Sequence, residues 1–527
     1  MDSSATSSAS AAPNITPSKE QRPAPRKKRW APRVRTGCWT CRSRHVKCDE
    51  ARPICMRCQK TQRKCAGYLD PIGPSLQLST APAGCCPEGL RLNSYFLHHL
   101  VRSAADEFDC DYWRYYMPRF TQTVPAIWHA TNALSALMWA GNGDPAAAGA
   151  DCAKLHKLAV VQHSAAMNDV LRLTRKNTLS VADKAVIVVA NFFFCAIAGH
   201  PGNIETFMAM HGKTVRLIRH WRFWELVDSS AEAMHLFHLF IKSVRIREES
   251  LLLTCQTPGE GWEDAVVFLQ KRPLGSVIKA YIELEMLWIS LYAVLDGFFV
   301  RSSATMLDVE ATNTRRAELQ PLFLIWERRY QAFLFCTPNI HPVGAAALSV
   351  RYILTRICFE MHLQPFEHVA EETCWDPFEE EFTLAWRIIE ETLTAPASFT
   401  KSSPARFRPS LRTSLQFIAR YCRKHSLRHA AAALLRSELP NGQSGKPPTT
   451  PLLVESIITL EESESKTCGQ VPRCQPGEFI CNWHRVAKVH AISLEESECH
   501  EFQCLTVGDI MDGRPGTTVR STAILWA

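Results

Sequence analysis

The sequence predicts a chain of two unlike parts. A small metal-clamped module near the amino terminus is followed by a large all-α helical domain, with a disordered basic N-terminus ahead and short strands at the carboxy end. Three observations carry this reading. Six cysteines fall between Cys38 and Cys65 at regular intervals. Net positive charge is confined to the first seventy residues, which hold sixteen Lys and Arg against five Asp and Glu, a net +11 in a chain of net +8. From about Leu90 to Ser465 apolar residues recur at helical spacing, and alternating strand patterns scarcely appear before Phe479. At 527 residues and 46% apolar, the chain is long enough for more than one domain and a substantial core.

The cysteines read Cys38-x2-Cys41-x6-Cys48-x6-Cys55-x2-Cys58-x6-Cys65, two copies of C-x2-C-x6-C joined by a six-residue linker. Two residues between thiolates let both sulfurs reach one tetrahedral zinc at about 2.3 Å. Two zinc ions need about eight ligand positions, and six sulfurs supply them only if two of the sulfurs bridge. The first cysteine of each half, Cys38 and Cys55, is the symmetric choice. Six thiolates on two divalent cations leave a negative core, and Arg42, Arg44, Lys47, Arg52, Arg57, Lys60, Arg63 and Lys64 lie between or beside the ligands to compensate it. A disulfide-stapled secreted domain is the competing reading, and it needs an oxidising compartment and usually a signal peptide. The chain instead opens MDSSATSSAS without an apolar signal core and runs into a basic stretch.

At these residues, down to Lys47-Cys48-Asp49 and Arg52-Pro53-Ile54-Cys55, the segment resembles the binuclear zinc cluster DNA-binding module of fungal transcription factors. The resemblance implies two zinc ions per chain, held by Cys38, Cys41, Cys48, Cys55, Cys58 and Cys65, and double-stranded DNA as the partner. Affinity for DNA comes largely from neutralised phosphates, and sequence choice from groups that reach base edges. In this family a short helix after the first cysteine pair points its C-terminal end into the major groove. The side chains between the second and third cysteines do the reading, here the window Arg42 to Lys47. Arg44 and His45 align with the base-reading positions, and Arg42 and Lys47 with phosphate contacts. The family's usual target is a CGG-type triplet, whose guanine O6 and N7 accept two bonds from a long cation. His45 departs from the Lys or Arg frequent at its position, and a neutral imidazole donates one bond at most. Val46 and Ile54 are expected to pack inside the module, and Pro53 to shape the loop between its halves. So small a domain has almost no apolar core, so zinc supplies most of its folding free energy.

The module is expected to span residues 36–68. Residues 1–35 are rich in Ser, Ala, Pro and basic residues and are expected to be disordered, with Arg26-Lys27-Lys28-Arg29 as a nuclear-localisation patch. Residues 69–90, with prolines at 71, 74, 82 and 87, read as a linker. No a/d heptad is present there for the coiled coil by which some relatives dimerise, so a homodimer would form through the helical domain.

Residues 91–465 form the expected helical domain. Ile127, Thr131, Leu134 and Met138 mark one helix face after Pro125, and Trp326, Tyr330 and Phe333 another. Ser276 to Phe299 is apolar on nearly every side, which predicts a helix buried among others. Phe108 to Trp113 with the following VPAIWHATNALSAL, Met210 to Arg219, and YCRKHSLRHAAAALL at 421–435 are similar, in that order, to segments of the fungal-specific regulatory domain that commonly follows a zinc cluster. After Phe479, WHRVAKVH and Gly516 to Trp526 suggest a few strands or a tail within residues 466–527.

Together these readings describe a nuclear, zinc-dependent regulator of RNA polymerase II genes, with the transcription machinery or co-regulators as further partners. A zinc module used for protein contact, or an enzyme housed in the helical domain, are the alternatives. The +11 segment argues against the first. Against the second, HExxH, Walker A, GxSxG and strand-anchored GxGxxG are all absent, so no catalytic residue is expected. Asp376 and Glu379 to Glu381 read as a solvated acidic face. The longest apolar stretch, Ala185 to Gly199, is short of the 18 to 20 or so residues that a bilayer requires and reads as a buried helix, so no membrane partner is expected. Cys468, Cys474, Cys481 and His484 are spaced C-x5-C-x6-C-x2-H, in which only the last interval is usual for a metal, so they are expected to pack as small side chains rather than to hold a third zinc.

Overall fold

The computed structural model describes residues 40, 41, 44, 46–49, 51, 55–63 and 65 of the cysteine segment. Beyond it, residues 86–101, 108–109, 112–141, 151–199, 204–227, 231–251, 262–300, 306–336, 342–363, 365–366, 369–394, 409–437, 449–464, 471, 473–492 and 500–521 are described. The basic segment with Arg26 to Arg29 lies outside them. The chain divides into two compact units, Met1–Ser79 and Thr80–Ala527.

The larger unit is mostly helical. Its first described helix, Pro87–Tyr95, begins inside the segment expected to be linker. Proline at the first position of a helix forfeits no hydrogen bond, and the Cys86 sulfur accepts from the Gly89 N–H at 3.4 Å to cap it. The predicted interior helix is present as Val277–Val300, and Ala280, Ile282, Leu284, Met286, Leu287 and Leu291 on it are fully buried. It packs against helices Ala231–Leu251, Glu263–Gln270, Met306–Cys336 and Pro342–Glu360. Trp326 and Tyr330 are buried in the same core, and the Trp326 indole N–H donates to the Ala280 carbonyl at 3.1 Å.

Two acids on this apolar helix, Glu283 and Glu285, are fully buried. Arg329 on helix Met306–Cys336 pairs with Glu283, and Arg351 on helix Pro342–Glu360 holds Glu285 through two bonds of 2.6 and 2.9 Å. The Arg351 guanidinium also lies 4.1 Å from the centre of the Trp288 ring. Asp109, in the segment Phe108 to Trp113, is buried too. It accepts from the Trp113 indole and from the Lys242 ammonium, each at 3.0 Å.

The apolar stretch from Ala185 is the greater part of a longer helix, Val181–Gly199, whose first turn carries Asp183 and Lys184. At nineteen residues it is long and apolar enough to cross a membrane by length and composition, contrary to the expected shortfall. Val186 to Ala190, Phe193, Phe194 and Cys195 on it are buried in the core. The region expected to be all helix also contains a two-stranded antiparallel hairpin, Pro365–Phe366 with Val369–Ala370.

The carboxy-terminal residues close onto the helices. Strands Val486–Ile492, His500–Thr506 and Thr517–Ser521 form an antiparallel sheet in that order. One face supplies Val486, Val489, Phe502 and Cys504 to a small core shared with Leu453 and Ile457 of helix Thr449–Glu464. The strand His500–Thr506 was not among the expected ones, although its alternation at Phe502, Cys504 and Thr506 is a strand signal. Gly508 lies directly under the Trp483 indole, where a Cβ would collide with the ring.

Buried charge joins the sheet to the helices. Arg485 donates to both carboxylate oxygens of Asp376 at 2.7 Å and to the Glu372 carbonyl at 2.8 Å. Asp376 is therefore an ion-pair partner rather than a member of a solvated acidic face, because the fold brings a fully buried arginine against it. Glu379 and Glu380 are exposed as expected. Glu461 accepts from Arg428 at 2.7 Å and from the Val486 N–H at 2.9 Å. Burial works to raise its carboxyl, but Arg423, Arg428 and the Val486 N–H outweigh it and hold the group below its ordinary value. Glu372 goes the other way. Burial pushes its carboxyl up to about 7 against the pull of Arg423, Arg420 and Arg485, with the Glu461 charge adding to the rise.

These buried charges set two measurable expectations. Arg351→Met alone leaves Glu285 buried without its arginine and lowers stability by about 3–5 kcal/mol, whereas Glu285→Gln with Arg351→Met recovers most of that loss. Guanidinium unfolding of the single and double variants checks this, and a double variant no better than the single rules out the ion pair as the cause. Glu372 has a folded-state pKa above its unfolded one, so its contribution is full below pH about 4.5 and is lost as the pH rises through about 7. Wild-type unfolding midpoints should therefore carry a falling component up to and through neutral pH that is absent in Glu372→Gln. Identical slopes in the two proteins would overturn the assignment.

Candidate zinc centre and nucleic-acid interface

Among the described residues of the smaller unit, Cys41, Cys55 and Cys58 are fully buried, and Val46, Cys48 and Cys65 pack around them. This is a core made almost entirely of sulfur. Val46 takes the packing position read for it, and its N–H donates to the Cys41 carbonyl at 3.0 Å. Ile54 and Pro53 lie outside the described residues.

The sulfurs fall into two groups, Cys41–Cys48–Cys55 and Cys55–Cys58–Cys65, each with all its sulfur atoms within 4.8 Å of one another. Within the first group, the Cys41 and Cys55 sulfurs are 3.7 Å apart. Two thiolates on one tetrahedral zinc, each at about 2.3 Å, stand about 3.8 Å apart, so the donor set has the dimensions zinc requires. Cys55 belongs to both groups, the position from which one sulfur serves two ions. Cys38, its symmetric counterpart in the motif, lies outside the described residues.

Local structure explains how the second half is shaped. Cys55 caps the short helix Met56–Lys60, its sulfur accepting from the Cys58 N–H at 3.2 Å. A backbone N–H aimed at sulfur favours the thiolate, as a metal ligand needs. Asp49, next to Cys48, reaches across to the other half. Its two oxygens accept from the N–H groups of Ala51 at 3.2 Å, Met56 at 2.9 Å and Arg57 at 2.8 Å. Desolvation works to raise the Asp49 carboxyl, but these donors outweigh it and hold the group below its ordinary value. Asp49 thus ties the two cysteine repeats together, a role the sequence reading did not assign. After the helix, Gln62 adopts φ +49° as the Arg63 N–H returns to the Cys58 carbonyl at 2.9 Å, which carries the chain back toward Cys65.

Around the sulfur core the cations face solvent. Arg44, Lys47, Arg57, Lys60 and Arg63 are all exposed. Exposed cations over a buried anionic core can meet a polyanion without losing the charge that balances the thiolates. Of the residues read as DNA contacts, Arg44 and Lys47 are placed on this surface, and Arg42 and His45 lie outside the described residues.

Residues 36–75 match the fungal Zn(2)-Cys(6) binuclear cluster domain. A domain of this type holds two zinc ions, and the described cysteine groups between Cys41 and Cys65 fit that pair. Over 56 residues, 11% of the chain, the sequence is 48% identical to the transcriptional regulatory protein moc3 of Schizosaccharomyces pombe. Over 41 residues, 8% of the chain, it is 69% identical to the aspercryptin biosynthesis cluster-specific transcription regulator atnN of Emericella nidulans. These segments span only 9% and 7% of the two regulators. A longer similarity, 32% over 135 residues, joins 21% of the chain to 35% of the Zn(2)-C6 fungal-type transcription factor afumD of Aspergillus fumigatus. No solved structure matches the chain.

The shared position of Cys55 makes a sharp expectation. A polypeptide of residues 1–79, one compact unit, should carry two zinc ions by elemental analysis and lose its folded structure on chelation. Cys55→Ser should lose both ions together, and a variant that keeps one ion would show that Cys55 serves only one group.

Proposed function

We propose that this chain is a zinc-dependent, sequence-specific DNA-binding regulator of RNA polymerase II transcription in a fungal nucleus. The observation that carries the reading is the buried cluster of cysteine sulfur ringed by exposed Arg44, Lys47, Arg57, Lys60 and Arg63, within the segment that matches a binuclear cluster domain. The names of the similar proteins, all regulators of transcription, support it.

In this reading Cys38 completes the ligand set with Cys41, Cys48, Cys55, Cys58 and Cys65. Arg44 and His45 read a CGG-like triplet in the major groove, and Arg42 and Lys47 hold the phosphates on either side. Arg26, Lys27, Lys28 and Arg29 direct the protein to the nucleus and add to the charge that draws it to DNA. The helical unit supplies the surface for co-regulators and for a second copy of the chain.

In vitro selection of DNA by the full-length protein tests the target, and a CGG-like triplet is the expected product. Arg44→Ala should weaken binding to the selected site by about 1–3 kcal/mol and relax base preference, whereas Lys47→Ala should weaken all DNA alike and lower the salt slope by about 1. An Arg44→Ala protein that changes only its salt slope, with base preference intact, removes Arg44 as a reader.

A further inference from the structure

Cys474, Cys481 and His484 were expected to be ordinary packing residues, and the fold brings them together. All three are buried, and their ligand atoms lie within 4.8 Å of one another. The chain achieves this with a tight hairpin. Gln475 and Phe479 exchange backbone bonds of 2.8 and 3.1 Å across a turn in which Gly477 takes φ +88°, a conformation that glycine adopts without strain. The turn sets Cys474 beside Cys481, and the short helical turn Asn482–His484 folds the imidazole back over both. The unusual six-residue interval is thus absorbed by a hairpin, which spacing alone does not reveal.

We infer that Cys474, Cys481 and His484 form a third metal site, which takes zinc or a divalent cation of similar softness. Both sulfurs stand 3.4 Å from the same ring nitrogen, Nδ1 of His484. A ring nitrogen has one in-plane lone pair or one hydrogen, so it serves a single directional partner well. An ion between the three atoms serves both sulfurs at once. Zinc bonds of about 2.3 Å to sulfur and 2.0–2.1 Å to nitrogen give a sulfur–nitrogen separation of about 3.6 Å in a tetrahedron, close to what is present. The Cys481 N–H donates to the Cys474 sulfur at 3.2 Å, which holds that sulfur facing the imidazole. Two thiolates, a neutral imidazole and a divalent cation sum to zero charge, which suits a buried site. Thiolate and imidazole together select zinc over the hard cations. Three protein ligands leave the fourth tetrahedral position to water or another donor.

The position gives the site a structural role. Asn482, between two of the ligands, accepts from the Glu372 N–H at 2.7 Å, and Arg485, next to His484, holds Asp376. A metal here fixes the hairpin that joins the carboxy-terminal sheet to the helices. The other described group of this kind outside the cluster, His425, His429 and Glu462, has both histidines exposed and each already bonded to Glu462, and carries no such requirement.

The test counts zinc in the full-length protein by elemental analysis, in wild type and in Cys481→Ser, with DNA binding and circular dichroism followed in both. Wild type should hold one ion more than Cys481→Ser, three against two, with helix content and affinity for the selected DNA unchanged. Equal zinc content in two folded proteins overturns the site, as does a Cys474–Cys481 disulfide in non-reduced peptide maps of the wild type. Should Cys481→Ser fail to fold, alkylation of native wild type decides. Cys474 and Cys481 should become labelled together when a chelator is added, and labelling that does not depend on the chelator overturns the proposal.

Discussion

Charge taken out of water has to be met where it sits, and both units of this chain are arranged around that requirement. In the smaller unit the charge is sulfur. Among the described residues, Cys41, Cys55 and Cys58 are fully buried and Val46 is the one apolar side chain other than cysteine packed against them. Cations must therefore do what hydrophobic burial does elsewhere, from inside as zinc and from outside as Arg44, Lys47, Arg57, Lys60 and Arg63. The outer cations are then available to a second polyanion. On the function proposed above, the stability of the module and its affinity for nucleic acid would share one electrostatic origin.

The larger unit meets the same requirement with arginine. Its interior helix is apolar enough to be buried on every side, yet Glu283 and Glu285 sit on it and each draws an arginine from a different neighbouring helix. Such pairs add little net stability over well-packed apolar residues, since both charges lose their water. They do discriminate between packings: a helix shifted along its neighbour would strand a carboxylate. Toward the carboxy end, Arg485 with Asp376, and Glu461 through the Val486 N–H, do the same for the sheet, so its first strand packs into the larger unit's interior.

The chemistry of the amino-terminal segment and the helical class of the larger unit were legible in local patterns of residues. Metal-ligand spacing is local, because two residues between cysteines bring two sulfurs to one ion whatever the rest of the chain does. Helical periodicity is local in the same way, and it identified the interior helix within a residue or so of its ends. Tertiary structure alone decided which charges meet. Asp376 and Arg485 are over a hundred positions apart, and nothing near Asp376 separates an ion-pair partner from a solvated acid. Asp49 looked like a residue beside a ligand until the fold aimed three N–H groups at it. Cys474, Cys481 and His484 have intervals that spacing rules pass over, because those rules assume the shortest return path, whereas here the chain makes a hairpin between the cysteines. Local patterns record what neighbouring residues can do, and a site assembled across a turn or between distant helices exists only once the chain has closed on itself.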